Sequence, residues 1–363
     1  MHISLYGNSI VTKVLALGLS QTNHEIDWIC PKYNSISRPI ALSQSSIKLL
    51  HKLNIWHMFD PNSIQAIDAM NIGTTNIDLN IDAYKNLESE LAYIIQTHDL
   101  DNILMSALNF TSRIKKIHAD NISNYFDGYT NTLTIENHEK IKTDLLIVTQ
   151  GNAINYFKDI KIIEKDYQHI AITTILQADI PHNGQSYQWF YDKDIIALLP
   201  MPSNQFCLIW SSHKSHEILM QDIIQVLNHN IQDIKKLQIS SCVQEIKTFP
   251  LGLKYINKFF EQRTLLIGDA AHRIHPLAGQ GLNIGLRDVD VLLTTLDNSC
   301  NTAQLNNRLR RFSAQRSIDI FKLAFITNSL YEINNFSSSL LKIAFKAANA
   351  LPILQKIMIK QAN

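Results

Sequence analysis

The chain has 363 residues, of which 45% are hydrophobic and 18% charged, with a formal net charge of +1. That length exceeds one average domain and the composition is ordinarily globular, while so small a charge removes any electrostatic case for nucleic acid as a partner. The four cysteines, Cys30, Cys207, Cys242 and Cys300, are far apart and form no CxxC pair. They argue against a structural zinc or a disulfide scaffold, and they suit a reducing cytosol.

Apolar patterning predicts a strand over His2 to Tyr6, a helix over Ser9 to Ser20 and a strand over Glu25 to Cys30. This is a β-α-β opening of the doubly wound type. The run Val14 to Leu19 lacks a basic leader and a convincing cleavage site, so it reads as helix and not as a signal peptide. No uncharged run approaches the roughly 20 residues needed to span a bilayer, and a cytoplasmic protein is expected.

Ser43 is placed to cap a helix over Ile47 to Leu53. Alternation marks strands around Ala66 to Ile81; Asp99 to Leu108 reads as helix, and Arg113 to Ile147 as strands around an Asp127-Gly128 turn. From Asp166 to Phe249 the pattern is mostly strand. There the runs Ile195 to Pro200 and Gln205 to Trp210 predict a hairpin through Met201 to Asn204, and a helix is expected near Glu217 to Asn228. A strand follows at Thr264 to Ile267, a helix begins near Gln280, and the remainder is helical. The most economical architecture is α/β: a doubly wound domain split by a β-rich insertion and followed by C-terminal helices.

The most informative stretch runs from Leu265 to Asn283. Only 11 glycines occur, where an average composition of about 7% would give roughly 25, so the cluster Gly268, Gly279, Gly281 and Gly285 is not background. Glycine at a strand end lets the main chain pass close to a bulky ligand, and Asp269 can accept hydrogen bonds from sugar-like hydroxyls. Pro276 sets a rigid turn. Gly279-Gln280-Gly281 then presents free backbone N–H groups at a helix start, where the macrodipole favours negative charge.

This string resembles the second flavin-binding motif of the FAD-dependent aromatic hydroxylases of the para-hydroxybenzoate hydroxylase type, and most of all their ubiquinone-biosynthesis branch. Supporting pieces stand in the expected order: Arg38-Pro39-Ile40-Ala41-Leu42-Ser43-Gln44-Ser45-Ser46 with Leu53-Asn54-Ile55-Trp56, then Ala197-Leu198-Leu199-Pro200, then Ile209-Trp210, and Arg287-Asp288-Val289-Asp290-Val291-Leu292 after the string. The resemblance implies a discontinuous FAD-binding domain over residues 1–60, 95–165 and 250–300. It further implies a substrate domain over 61–94 and 166–249, and a C-terminal helical region over 301–363. Asp269 would bind the ribityl chain, Pro276 would sit beside the isoalloxazine, and backbone groups of Gly279, Gln280, Gly281, Leu282 and Asn283 would contact its pyrimidine end. A reduced flavin carries negative charge there, which the helix start would favour. Family members reduce FAD with NADPH, NADH or another donor and hydroxylate an electron-rich ring through a flavin hydroperoxide. The flavin carries the chemistry, and no residue is named as catalytic. No metal site is expected.

The N-terminal loop departs from the family pattern. Where the resemblance calls for G-x-G-x-x-G, the chain reads Gly7-Asn8-Ser9-Ile10-Val11-Thr12, and only Gly7 remains. The acidic residue that would hold the adenosine ribose falls near Cys30. The Asp-Gly motif expected near Ile147 is Thr149-Gln150-Gly151, and the expected arginine is His98. The adenylate and pyrophosphate half is thus degraded while the ribityl and isoalloxazine half is retained. Either the Ser9 and Thr12 hydroxyls substitute for backbone contacts to FAD, or the chain is a non-catalytic relative that serves as a structural component of a ubiquinone-biosynthesis assembly.

From Ile333 to Asn363 the chain has Lys342, Lys346, Lys356 and Lys360, no acidic residue, and dense apolar residues. Such a stretch either packs over the flavin domain or lies on an anionic membrane surface. The resemblance implies a prenylated aromatic substrate delivered from the membrane, so contact at its inner face and with other ubiquinone-biosynthesis proteins is expected.

Overall fold

The computed structural model describes residues 1–32, 37–74, 77–136, 140–157, 159–191, 193–213, 223–230, 237–273 and 281–336. The described α-helices are α1 (Ile10–Ser20), α2 (Gln44–Lys52), α3 (Thr97–Asn109), α4 (Ile223–Asn230), α5 (Gly281–Thr295) and α6 (Thr302–Phe336).

The first sheet has six strands in the order Phe260–Glu261, Thr264–Leu266, Leu145–Val148, His2–Tyr6, Glu25–Cys30 and Ile114–His118. All neighbours are parallel except the first pair. Parallel pairing buries both faces of such strands, which is why Leu145–Val148 is apolar at every position and wholly buried. α1 makes the crossover from the first strand to Glu25–Cys30. It is buried from Val11 to Leu19 because it packs between the sheet, α3 and α5.

Two close approaches set its seat. A Cβ on Gly285 would lie 2.6 Å from Val11 Cγ2, and one on Gly18 would lie 2.4 Å from Leu293 Cδ1. Both contacts need glycine's missing side chain to bring α1 against α5. A three-stranded meander, Ile122–Phe126, Asn131–Ile135 and Ile141–Thr143, adds Leu133 and Ile135 to the same core.

The second large sheet is mostly antiparallel, and its centre is Ile162–Ala178, Gln205–Ser212, Asp194–Met201 and Gln185–Tyr191. The expected hairpin is present, with Met201 opposite Gln205. Ser203 (φ 63°) and Asn204 (φ 55°) supply the left-handed turn residues that match strand twist. Strands Ala69–Thr74 and Ile77–Asp82 extend this sheet, the former pairing in parallel with Gln185–Tyr191. A small sheet of Pro39–Ser43, Ala92–Gln96 and Gln65–Ile67 lies between the two large ones. Its Ala41, Ile67 and Ile94 pack on Ile175, Leu199, Met201 and Cys207 of the second sheet.

The sequence expectations hold at most elements. Ser43 caps α2, accepting from the Ser46 N–H, so the helix starts at Gln44 and not at Ile47. The expected helix near Glu217 to Asn228 is described only as Ile223–Asn230, and residues 337–363 of the C-terminal region lie outside the described residues. No helix among the described residues is long and apolar enough to cross a membrane.

Candidate functional site

Strand register brings the ligand-facing residues together. Tyr6 stands opposite Val148, and Val148 opposite Leu266, so Gly7, Thr149 and Gly268 emerge side by side at the carboxyl edge of the parallel sheet. Ligands of open α/β sheets bind at this edge. At the opposite edge a cleft of about 630 Å³, lined by His2, His24, Asp27 and Arg113 among others, lies at the strand starts and far from these residues.

Gly268 leaves the sheet with φ +56°, and a Cβ there would sit 3.3 Å from Val11 Cγ1. Both the left-handed backbone and the contact require glycine. The following turn is tied down where the Ala270 N–H donates to Thr149 O at 3.2 Å. Asp269 projects outward: it is exposed and has no hydrogen bond or ion pair to any described residue. Its carboxylate is free to accept from hydroxyls of a polyol chain.

Beneath this turn is a buried ionic network. The Gly268 N–H donates to Asp288 Oδ2 at 3.0 Å, His272 Nε2 lies 2.6 Å from the same oxygen, and Arg316 Nε donates to Oδ1 at 2.7 Å. Arg316 also donates to Asp319 Oδ2 at 2.9 Å. Asp288 is fully buried and Arg316 nearly so. Burial by itself would raise the Asp288 pKa, but His272, Arg316 and the Gly268 N–H prevail and hold it down at about 2. The carboxylate therefore stays ionised and fixes the Gly268 backbone from below.

Sequence reasoning carried Asp288 only as part of a resemblance and did not single out Arg316 or His272. One signal was available: Asp288 falls on the buried face of α5 with Ile284, Gly285, Val289 and Leu292, a place where an unpaired carboxylate is not tolerated.

The start of α5 is held by Asn283, which is buried. Its Oδ1 accepts from the Ser43 N–H (2.9 Å) and the Ser46 hydroxyl (2.7 Å), and its Nδ2 donates to Ala41 O (2.7 Å). The Asn283 side chain is thus consumed in docking α5 onto the small sheet, leaving only backbone to face a ligand. Leu282 packs partly buried against the first core, and a Cβ on Gly281 would meet nothing within 4 Å. Pro276, Gly279 and Gln280 lie outside the described residues.

The N-terminal loop is built differently. Gly7 has φ +141°, its N–H donates to Ile29 O, and the Trp28 indole donates to Gly7 O at 2.8 Å. Ser9 and Thr12 form a capping box at the start of α1. Thr12 Oγ1 accepts from the Ser9 N–H and lies 2.5 Å from Thr149 Oγ1, and Gln150 Oε1 accepts from the Asn8 N–H at 2.7 Å. The two hydroxyls are therefore turned onto the protein's own backbone and onto each other. Cys30, at the expected place of an acidic residue, is buried, and burial pushes its thiol up to about 12. His98 is exposed and bonded to Asn102 at 2.9 Å.

The residues present fit a flavin at the Gly268–Asp269 and α5 side. There a carboxylate without a hydrogen bond to any described residue and a glycine backbone held from below stand beside the start of a helix. A parallel sheet with this strand end, joined to a small sheet that packs on a second, mostly antiparallel one, is the architecture expected of a flavoprotein hydroxylase.

Comparison with known proteins agrees. A family profile described as "FAD binding domain" matches residues 31–319. The chain belongs to the FAD-binding family that this profile describes, and is an FAD-dependent monooxygenase. It is 25% identical over 411 aligned positions to the ubiquinone biosynthesis monooxygenase COQ6 of Danio rerio, covering 95% of this chain and 83% of that one. It is 23% identical to the 3-demethoxyubiquinol 3-hydroxylase of Escherichia coli, over 90% of both chains. Among solved structures, HpxO of Klebsiella pneumoniae complexed with FAD and uric acid matches with a TM-score of 0.78 at 14% identity, over 100% of this chain and 96% of that one.

Proposed function

We infer that the chain hydroxylates the aromatic ring of a polyprenylated ubiquinone precursor. Bound FAD supplies the oxygen-activating redox chemistry, with NADPH or NADH as the electron source. The observation that supports the assignment of residues is the exposed Asp269, without a hydrogen bond or ion pair to any described residue, beside a Gly268 backbone locked by Asp288. In this reading Asp269 accepts from the ribityl hydroxyls, and the start of α5 faces the pyrimidine end through backbone N–H groups of Gly281 to Asn283. The resemblance also assigns Pro276, Gly279 and Gln280, which lie outside the described residues, to flavin binding. The domain division follows the same reading, with residues 61–94 and 166–249 covering the substrate.

The substrate class is supported by the relatives in Danio rerio and Escherichia coli, which carry names of ubiquinone-pathway hydroxylases. Membrane delivery is supported by α6, where Ile318, Phe321 and Phe325 are exposed on one face with the two phenylalanine rings 6.5 Å apart. The segment after it is lysine-bearing and free of acidic residues.

The test is a visible-spectrum titration of the purified protein with FAD, followed by turnover with a prenylated phenol, NADPH and oxygen. Binding, and a product heavier by one oxygen, are expected. Absence of binding at tens of micromolar FAD, a generous range for a cofactor site, would overturn the enzyme reading and assign the chain a structural role in a biosynthetic assembly.

A further inference from the structure

Three of the backbone donors a diphosphate would use in the N-terminal loop, those of Asn8, Ser9 and Thr12, are occupied by side chains. The Asn8 N–H is taken by Gln150 Oε1 at 2.7 Å, the Ser9 N–H by Thr12 Oγ1 at 3.2 Å, and the Thr12 N–H by Ser9 Oγ at 3.4 Å. Behind them the Thr12 and Thr149 hydroxyls pair at 2.5 Å, and Thr149 Oγ1 stands 2.1 Å from where a Gly7 Cβ would be. A diphosphate entering here would have to displace these acceptors, so its hydrogen bonds would replace existing ones and add little. The neighbouring cation does not compensate, because the buried Lys13 ammonium is engaged by Asp101 at 2.5 Å.

We propose that Gln150, with the Thr12–Thr149 hydroxyl pair behind it, closes the loop to a diphosphate and thereby sets flavin selectivity. The chain then holds flavin through the ring and ribityl chain, with little contribution from the adenylate half. This rests on the flavin-binding reading above, and it adds a feature that reading does not require. Gln150 is the specificity residue: its side chain is only half-buried, so it can be removed without opening the core.

The test compares wild type, Gln150→Ala and Gln150→Ala/Thr12→Ala by titration with FAD and FMN, and by the shift in Tm on adding ADP. Wild type should bind FAD and FMN within about threefold of each other, and opening the loop should raise FAD affinity about tenfold with FMN unchanged. ADP should raise the Tm of the double variant and leave wild type unmoved. A wild-type preference for FAD over FMN beyond about a hundredfold overturns the proposal. So does a selective loss of FAD affinity in Gln150→Ala, which would make the Gln150 amide a phosphate donor. If wild type binds no flavin at all, the flavin reading fails by itself, and the ADP arm still decides the closure: ADP stabilising wild type, or failing to stabilise the double variant, sinks it. The single variant keeps the test available should the double variant not fold.

Discussion

The two halves of one dinucleotide site meet at the same sheet edge, yet they treat their backbone donors in opposite ways. At Gly268 the N–H is taken from below by a buried carboxylate, and the side chain that follows it, Asp269, is exposed and bonded to no described residue. At Asn8, Ser9 and Thr12 the donors are taken by side chains of the loop itself and of its neighbour Gln150. Support from the core leaves a surface open to a ligand, whereas local capping stabilises the helix start at the expense of an anion site. α1 serves both halves, because Val11 packs against Gly268 and Gly285 while Ser9 and Thr12 cap the same helix. The retained half therefore depends on the N-terminal helix even where that helix no longer offers a diphosphate cradle.

This contrast can be broken most directly at its buried end. Asp288→Asn removes the buried carboxylate shared by Arg316, His272 and the Gly268 N–H and leaves Arg316 only the half-exposed Asp319, and removal of one partner of such a pair costs about 3–5 kcal/mol. Denaturant unfolding measures it, and a loss below about 1 kcal/mol would mean the network is not what holds Gly268. The same carboxylate predicts an acid dependence. Its folded pKa, about 2, lies below the ordinary value of 3.8, so the stabilisation is complete above that ordinary value and is lost as pH falls toward the folded one. The contribution is roughly 2 kcal/mol, and Asp288→Asn should flatten this part of the stability–pH curve.

On the ligand side, Asp269→Ala should weaken FAD binding by about ten- to a hundredfold, the scale of charged hydrogen bonds. Apo-protein Tm should stay unchanged, since Asp269 touches no described residue. Unchanged FAD affinity would show that the ribityl chain lies elsewhere. The link between the halves is probed by Gly285→Ala, whose methyl would meet Val11 at 2.6 Å. Overpacking of this kind costs about 1–3 kcal/mol, and Val11→Ala in the same chain should recover part of it; failure to recover would place the strain elsewhere. The smallest effect belongs to the cap. Ser9→Ala should cost about 1 kcal/mol of stability, read by the same unfolding curves, and a gain in stability would contradict the capping role.

Much of this was legible in the chain. The order of strand, Gly-Asp, and helix from Thr264 onward was readable because glycine and aspartate at a strand end have few other uses. Ser43 was readable as a cap and Met201 to Asn204 as a turn, because caps and turns are local chemistry. The reading of Ser9 and Thr12 as hydroxyls available to FAD was not upheld, since both are bonded within the protein. Asn283, expected to meet the flavin through its backbone, spends its side chain on Ala41, Ser43 and Ser46. Apart from the local Ser9–Thr12 cap, these bonds turn on partners distant in the chain: Asn283 meets residues 237 to 242 positions away, Thr12 meets Thr149 at a separation of 137, and Asn8 meets Gln150 at 142.

The sequence by itself determined the class: alternating patterns specify strands and helices, and the glycine-bearing string specifies a backbone that must approach a ligand. Only the tertiary structure decided which half of the site is open. Whether a donor is free depends on which side chain the sheet register carries to it, and register aligns Tyr6 with Val148 and Val148 with Leu266. That alignment places Thr149 and Gln150 over Gly7 and Asn8, and lets Asp288 reach Gly268 from the helix beneath.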